Sequence, residues 1–145
     1  MKKIFFLVLI AISSLVSAQT INTNKKGFAA DGYDVVSYFD TKAIEGNKKY
    51  QTVYHTAIYS FATKENLQKF KKNPKKYIPQ YGGWCAYAIG VSNKKVEINP
   101  KTFEIRDGKL YLFYNAWGTN TLKLWNKEGP EKLKQQADKN WRSQK

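Results

Sequence analysis

The chain has 145 residues, which is enough for one domain with one modest core. It carries 25 lysines and arginines against 11 acidic residues, a formal net charge of +14. The lysines are spread along the chain, the only arginines are Arg106 and Arg142, and no RNA-binding signature is present, so a solvated basic surface is favoured over nucleic-acid binding. The single cysteine excludes an internal disulfide and a Cys-x-x-Cys exchange cycle.

The N-terminus has the pattern of a cleavable signal peptide. Lys2 and Lys3 precede an apolar run over 4–12, and Val16-Ser17-Ala18 is a loose small-x-small cleavage motif. The run is shorter than the roughly 20 residues of a membrane span, so an uncleaved anchor helix is the less favoured alternative. We expect an exported protein, periplasmic or secreted, without a stable membrane span after cleavage. Its predicted parts are a signal peptide (1–18), a flexible lead-in (19–27) and one domain (28–145).

The first half of the domain predicts a hairpin followed by a helix. Residues 50–54 and 57–61 are rich in β-forming residues and are joined by a short turn near His55. Thr63 is a suitable N-cap for a helix that continues to Lys71. The helix ends before Pro74, because a residue that precedes proline is disfavoured in helical geometry.

The second half predicts another hairpin and two helices. Asp107-Gly108 between two alternating apolar segments is a strong hairpin signal. Helices are expected over 119–126 and from Pro130 to Trp141, where an apolar residue every four positions predicts a stripe that packs on the sheet. The whole pattern predicts an α+β fold, a single domain with a small antiparallel sheet and packed short helices.

The loop over 73–86 holds the candidate functional residue, Cys85. It follows the pair Gly82-Gly83, which can adopt backbone angles that other residues avoid. If a helix spans 84–89, the partial positive charge of its N-terminus would favour the thiolate at Cys85. In an extended buried segment the thiol would instead be a small hydrophobic side chain, as free cysteines often are. Residues expected to support this loop are Asp34, Tyr77, Tyr81, Gly82, Gly83 and Trp84.

Three motifs together resemble one family. They are Pro74-Lys75-Lys76-Tyr77-Ile78-Pro79-Gln80-Tyr81-Gly82-Gly83-Trp84-Cys85-Ala86, Gly32-Tyr33-Asp34-Val35-Val36-Ser37-Tyr38-Phe39 and Asp107-Gly108-Lys109-Leu110-Tyr111-Leu112, with Trp141 near the end. This arrangement resembles the small exported YHS domain-containing proteins over roughly 29–141. In some of those relatives selenocysteine stands at the position that matches Cys85, which implies reactivity there. Wider YHS relatives resemble metal-binding modules with several cysteines, which this chain lacks.

The residues leave three functional hypotheses open. The first is an exported binding module that holds a small ligand or a soft metal, copper or zinc, through Cys85, with His55 as the second metal ligand. The second is a redox protein in which Cys85 is the reactive catalytic thiol. The third is a structural or partner-binding domain with an inert Cys85. The sequence does not decide whether the protein is an enzyme, and a structural zinc site usually has four protein ligands.

Overall fold

The computed structural model describes residues 20–144. Within this range the chain is an α+β domain of small antiparallel hairpins and short helices, which confirms the predicted fold class. The predicted signal peptide lies outside the described residues. No helix formed by 20–144 combines the length and hydropathy that a membrane span requires.

Six strands form three separate two-stranded sheets in the described part of the chain, rather than the one small sheet predicted. The first hairpin pairs β1 with β2, the second pairs β3 with β4, and a short third pairs β5 with β6. The strands are β1 (Asn47–Tyr54), β2 (Ala57–Phe61), β3 (Asn99–Arg106), β4 (Lys109–Phe113), β5 (Asn115–Ala116) and β6 (Thr119–Asn120).

Five α-helices lie between and after these hairpins in the described residues, together with 3₁₀ turns over Ala30–Gly32, Ser37–Asp40 and Gln80–Gly83. The helices are α1 (Lys64–Lys72), α2 (Pro74–Tyr77), α3 (Ala86–Ser92), α4 (Thr121–Glu128) and α5 (Pro130–Ser143). The predicted N-cap of α1 is confirmed, since Thr63 Oγ1 accepts a hydrogen bond from the Asn66 N–H at 3.1 Å.

The predicted apolar stripe of α5 exists but packs mainly against α3. Leu133 and Ala137 are buried, and both lie beside Gly90 of α3. A Cβ at Gly90 would stand 3.0 Å from the Leu133 carbonyl oxygen, so only glycine allows the two helices to approach this closely.

The core has two clusters that share strand β4. Leu110 and Leu112 belong to a first cluster built mainly from the residues before Ile78. Tyr111 and Phe113, on the opposite face of the strand, belong to a second cluster with Trp125 and the helices α3 and α5. Successive side chains of a strand point to opposite faces, so β4 is the wall between the two clusters.

Residues 20–27, predicted to be a flexible lead-in, are held against the body of the domain. Asn22 is buried, its N–H donates to the Gly82 carbonyl at 2.8 Å, and its side-chain amide donates to the Gly83 carbonyl at 3.2 Å. The Trp84 indole N–H donates to the Thr20 carbonyl at 2.9 Å. The Asn22 bonds satisfy two carbonyl groups of the turn over Gly82-Gly83, which is not part of a sheet. Together with the Trp84 bond they hold this polar segment in place.

Candidate functional site: a cleft beside the glycine turn

The loop that carries the sequence motif turns through three consecutive residues in the left-handed region. Tyr81, Gly82 and Gly83 have φ values of 55°, 61° and 82°. The two glycines were expected there, but the tyrosine was not. A bulky residue in this region costs about 1–2 kcal/mol, so the surrounding structure must hold Tyr81 in place.

Tyr81 is fixed by a hydrogen bond and by ring packing. Its hydroxyl donates to Asp138 Oδ1 at 2.8 Å, and its ring lies 5.8 Å from that of Tyr111 and 6.4 Å from that of Trp141. Burial, followed by the hydrogen bond to Asp138, raises the pKa of Tyr81 well above its ordinary value. The hydroxyl therefore remains a donor at neutral pH.

Cys85 points into the core. Its side chain is fully buried at the N-cap position of α3. The Tyr114 N–H donates to Sγ at 3.3 Å, and Thr121 Oγ1 lies 3.3 Å from Sγ. The helix starts two residues later than predicted, and the thiol joins α3, the end of β4 and the start of α4.

These surroundings do not provide a zinc site with three or four protein ligands. Sγ already has two polar partners in a closed pocket, and no group of three or more histidine, cysteine, aspartate or glutamate side chains within 20–144 could hold a metal ion. Structural zinc sites take four protein ligands and catalytic sites three. Metal binding by Cys85 and His55 therefore stays a prediction.

His55 lies in a different environment from Cys85. It is exposed at the turn between β1 and β2, where it and Thr56 have φ values of 48° and 69°. Its ring meets that of Tyr54 edge-on at 4.3 Å. A β-branched residue such as Thr56 is rarely found at positive φ, so this turn is a strained one.

The strained turn and the glycine turn both face an open cleft of about 490 Å³. The cleft forms where the ends of two hairpins meet the loop over 78–82 and the last turns of α5. Its volume lies in the range of small-molecule sites. The lining residues are Ile21, Tyr54, His55, Tyr59, Ile78, Pro79, Gln80, Tyr81, Gly82, Lys109, Asp138, Trp141 and Arg142.

The charged side chains of the cleft differ in how they are paired. Asp138 accepts from Tyr81 and also forms a 2.9 Å ion pair with Lys134. Lys109 and Arg142 form no side-chain hydrogen bond or ion pair with any residue in 20–144. The cleft therefore presents two uncompensated cations.

Tyr59 is a cleft-lining residue with very little exposed surface. The residue is only 3% exposed, and its hydroxyl has no hydrogen-bond partner among the described residues. Burial raises its pKa to about 12, so the hydroxyl is protonated at neutral pH. Tyr111 Oη is the buried side-chain polar atom without a partner in the described residues, so the unpaired Tyr59 hydroxyl is open to solvent and free to donate to a ligand.

Asp34 does not support the Cys85 loop as predicted. Its carboxylate is fully buried and accepts four hydrogen bonds, all from residues outside that loop. The donors are the N–H groups of Val36, Ser37 and Ala62 and the side-chain amide of Asn66. Asp34 is therefore a structural turn and capping residue that ties the opening motif to β2 and α1.

The remaining loop residues have structural positions. Tyr77 is buried, its ring meets Phe39 edge-on at 5.2 Å, and Lys76 Nζ lies 5.2 Å from its ring centre. Trp84 is half-buried and bonded to Thr20. Of the eight predicted site residues, the cleft therefore includes His55, Tyr81 and Gly82.

Comparison with known families agrees with the opening motif and the first part of the loop. Residues 35–81 match the family model of the YHS domain. The chain therefore contains a YHS domain match that covers 47 of its 145 residues. The matched YHS segment is narrower than the resemblance over 29–141 and ends before Cys85. Searches of curated proteins and of solved structures found no match.

The YHS segment supplies one side of the cleft and later residues supply the other. Tyr54, His55 and Tyr59 lie within the matched residues, whereas Lys109, Asp138 and Arg142 lie beyond them. Sequence reasoning missed Tyr59 and the three later residues. Asp107-Gly108 could have placed Lys109 beside a hairpin end, and the α5 stripe could have placed Asp138 next to Trp141, but nothing local joins them to His55.

Proposed function

We propose that this YHS domain-containing protein is an exported, non-enzymatic binding module that takes a small organic ligand in the cleft. The observation that carries the proposal is Tyr59, a cleft-lining residue that is 3% exposed and whose hydroxyl has no hydrogen-bond partner among the described residues. The aromatic wall and the two unpaired cations support it, because ligand sites combine apolar lining with a few convergent polar groups.

In this proposal Cys85 has a structural role. Its burial and its contacts with Tyr114 and Thr121 account for a cysteine at the junction of three elements. A reactive thiol needs access to its co-reactant, and a fully buried one lacks it. The geometry thus favours a small-ligand module over a redox protein, and the ligand would reach the cleft rather than the thiol.

A fragment screen followed by amide chemical-shift mapping tests the proposal. The probes are small aromatic fragments that are anionic, neutral or cationic. Shifts are expected to concentrate at the amides of His55, Gln80, Gly82 and Arg142 for at least one fragment. Fragments of every charge that leave these amides unmoved, or that shift only residues elsewhere, would overturn the proposal.

Three variants sharpen this experiment. Tyr54→Ala removes a ring from the cleft wall and is expected to weaken the best fragment about tenfold. Val53→Ala is the matched control, because Val53 is the preceding residue of the same strand and is 70% exposed. Cys85→Ala is expected to keep fragment affinity within about twofold, whereas a thiol-dependent site would lose it.

Export is the second part of the proposal and rests on the N-terminal sequence pattern. Expression of the full chain in a bacterial host, with fractionation and intact mass measurement, tests it. The expected product lies outside the cytoplasm and begins at Gln19. A full-length product confined to the cytoplasm would contradict export and would leave the ligand-binding proposal to its own test.

A further inference from the structure

We propose that the ligand of the cleft is a planar organic anion, of the aromatic carboxylate class, with its ring against the aromatic wall and its charged group between Lys109, Arg142 and the Tyr59 hydroxyl. This inference rests on the proposed function and adds the chemical class of the ligand.

The charged side chains of the cleft indicate that its ligand carries a negative charge. Lys109 and Arg142 line the cleft from separate elements, the start of β4 and the last turn of α5, and neither is neutralised by another side chain within 20–144. Two unpaired cations at one cleft favour an anionic ligand. A guanidinium also matches a carboxylate, which it can bind through two parallel hydrogen bonds.

Asp138 is the one acidic side chain in the cleft lining, and it does not change the preference for an anionic ligand. The two oxygens of Asp138 are occupied, one by the Tyr81 hydroxyl at 2.8 Å and the other by Lys134 Nζ at 2.9 Å. The negative charge of Asp138 is therefore already compensated by Lys134. The carboxylate fixes the Tyr81 hydroxyl and has no oxygen left without a partner.

The uncharged donor gives the position of the anionic group. Tyr59 Oη is a hydroxyl with no acceptor among the described residues, in a side chain that is almost wholly buried. The raised pKa of Tyr59 keeps its proton in place, so it can donate to a carboxylate without carrying charge itself. A hydrogen bond to a charged acceptor is roughly twice as strong as one between neutral groups.

The remaining lining gives the shape. Tyr54, Tyr81 and Trp141 supply aromatic rings, and Ile21, Ile78 and Pro79 supply apolar surface. The rings of Tyr54 and Tyr59 are 6.4 Å apart in an edge-on arrangement, and so are those of Tyr81 and Trp141. Rigid aromatic walls favour a flat ring, which can stack or meet them edge-on.

Calorimetric titration with three matched probes tests the inference. Benzoate, benzamide and benzylamine share one ring and differ in charge. We expect benzoate to bind at least about fivefold more tightly than benzamide, and benzylamine to bind most weakly. The preference should shrink as sodium chloride is raised, since the cations are exposed.

Three variants assign the preference to the named groups. Arg142→Gln and Lys109→Gln are each expected to weaken benzoate about threefold to tenfold and to leave benzamide unchanged. Tyr59→Phe is expected to weaken benzoate about threefold or more. Lys123→Gln, which removes an exposed lysine outside the cleft, is the control and should change neither affinity.

The outcomes separate this inference from the function on which it rests. Equal binding of benzoate and benzamide in the cleft, or preferred binding of benzylamine, would overturn the anion class and leave the binding module intact. Benzoate affinity that falls as much in Lys123→Gln as in Arg142→Gln would also overturn it, because net charge alone would then explain the preference. If no probe of any charge moves the cleft amides, the proposed function itself fails.

Discussion

The loop over 78–85 has two sides, and they differ in every property that decides whether a residue can act on another molecule. On one side Cys85 lies in a closed pocket, fully buried, with Tyr114 and Thr121 as its partners. On the other side Tyr81 and Gly82 border an open cleft with two unpaired cations and an unpaired hydroxyl. The more reactive side chain is on the less accessible side.

The difference teaches that residue type is a weaker guide to a site than pairing and access. The thiol attracts attention in the sequence because it is a nucleophile beside a glycine pair. In the fold its polar contacts are complete, as is usual for buried polar groups. At the cleft the incomplete contacts belong to Tyr59, Lys109 and Arg142, which are ordinary residue types in the sequence.

The largest expected effect is on the glycine turn that separates the two sides. Gly82→Ala should lower the free energy of unfolding by about 2–4 kcal/mol, measured by urea denaturation. The new Cβ would lie 2.9 Å from the Thr20 carbonyl oxygen and 3.1 Å from the Trp141 ring, at a φ of 61°. Gly118→Ala is the control, since Gly118 also has positive φ but nothing within 4 Å, and should cost only about 1 kcal/mol. Equal losses in the two variants would show that the close approach is unimportant.

Removal of the Cys85 sulfur tests the buried side of the loop. Cys85→Ala leaves the Tyr114 N–H without its acceptor and should cost about 1–3 kcal/mol of unfolding free energy. In the native wild-type protein the thiol should react with a water-soluble aromatic disulfide reagent many times more slowly than in urea. Reaction at the same rate in both conditions would show that Cys85 is accessible, and would favour the redox hypothesis over a structural role for Cys85.

Alkaline pH should lower the free energy of unfolding through a buried tyrosine on each side of the loop. Burial raises the pKa of Tyr59, on the cleft side, and of Tyr111, on the core side, to about 12. The unfolded tyrosine loses its proton near its ordinary value of about 10, so stability is complete below pH 10 and falls as pH rises toward 12 and beyond. Urea unfolding at a series of pH values from about 9 to 11 should show this fall, with a shallower slope in Tyr59→Phe. A fall that is the same in Tyr59→Phe would mean that Tyr59 is not buried in solution.

The smallest expected change in stability concerns a buried hydroxyl on the core side. Tyr111 Oη is the buried side-chain polar atom that has no hydrogen-bond partner in the described residues. Tyr111→Phe should therefore leave stability unchanged or raise it by up to about 1 kcal/mol in urea denaturation. Tyr81→Phe is the contrast, because it removes the bond to Asp138 and should cost about 1–2 kcal/mol. A clear loss in Tyr111→Phe would indicate a bound internal water at that hydroxyl.

Local patterns in the sequence predicted most of the elements. The strand over 57–61, the Thr63 cap and the Asp107-Gly108 hairpin appear where expected, because turn residues and alternation act over a few positions. The packing of α5 against α3 was not predictable in the same way, since it depends on Gly90 meeting Leu133 far along the chain.

The candidate site was harder to predict for the same reason. His55, Tyr81 and Gly82 were selected from motifs, but the cleft that unites them also needs Lys109, Asp138 and Arg142. These groups come together only through tertiary structure. For Cys85 the sequence left open a helix over 84–89 or an extended buried segment. The structure combines a helix that begins at Ala86 with a buried thiol, because Sγ contacts Tyr114 and Thr121 from distant parts of the chain.

Strand β4 has a consequence for how the domain folds. Its alternate side chains complete both clusters, so neither core can be assembled while this strand is out of register. The two halves of the chain should therefore unfold in one cooperative transition rather than in two. One residue inserted at the Asp107-Gly108 turn would send Leu110 and Leu112 to the wrong cluster and Tyr111 and Phe113 to the other, and both cores would be lost together.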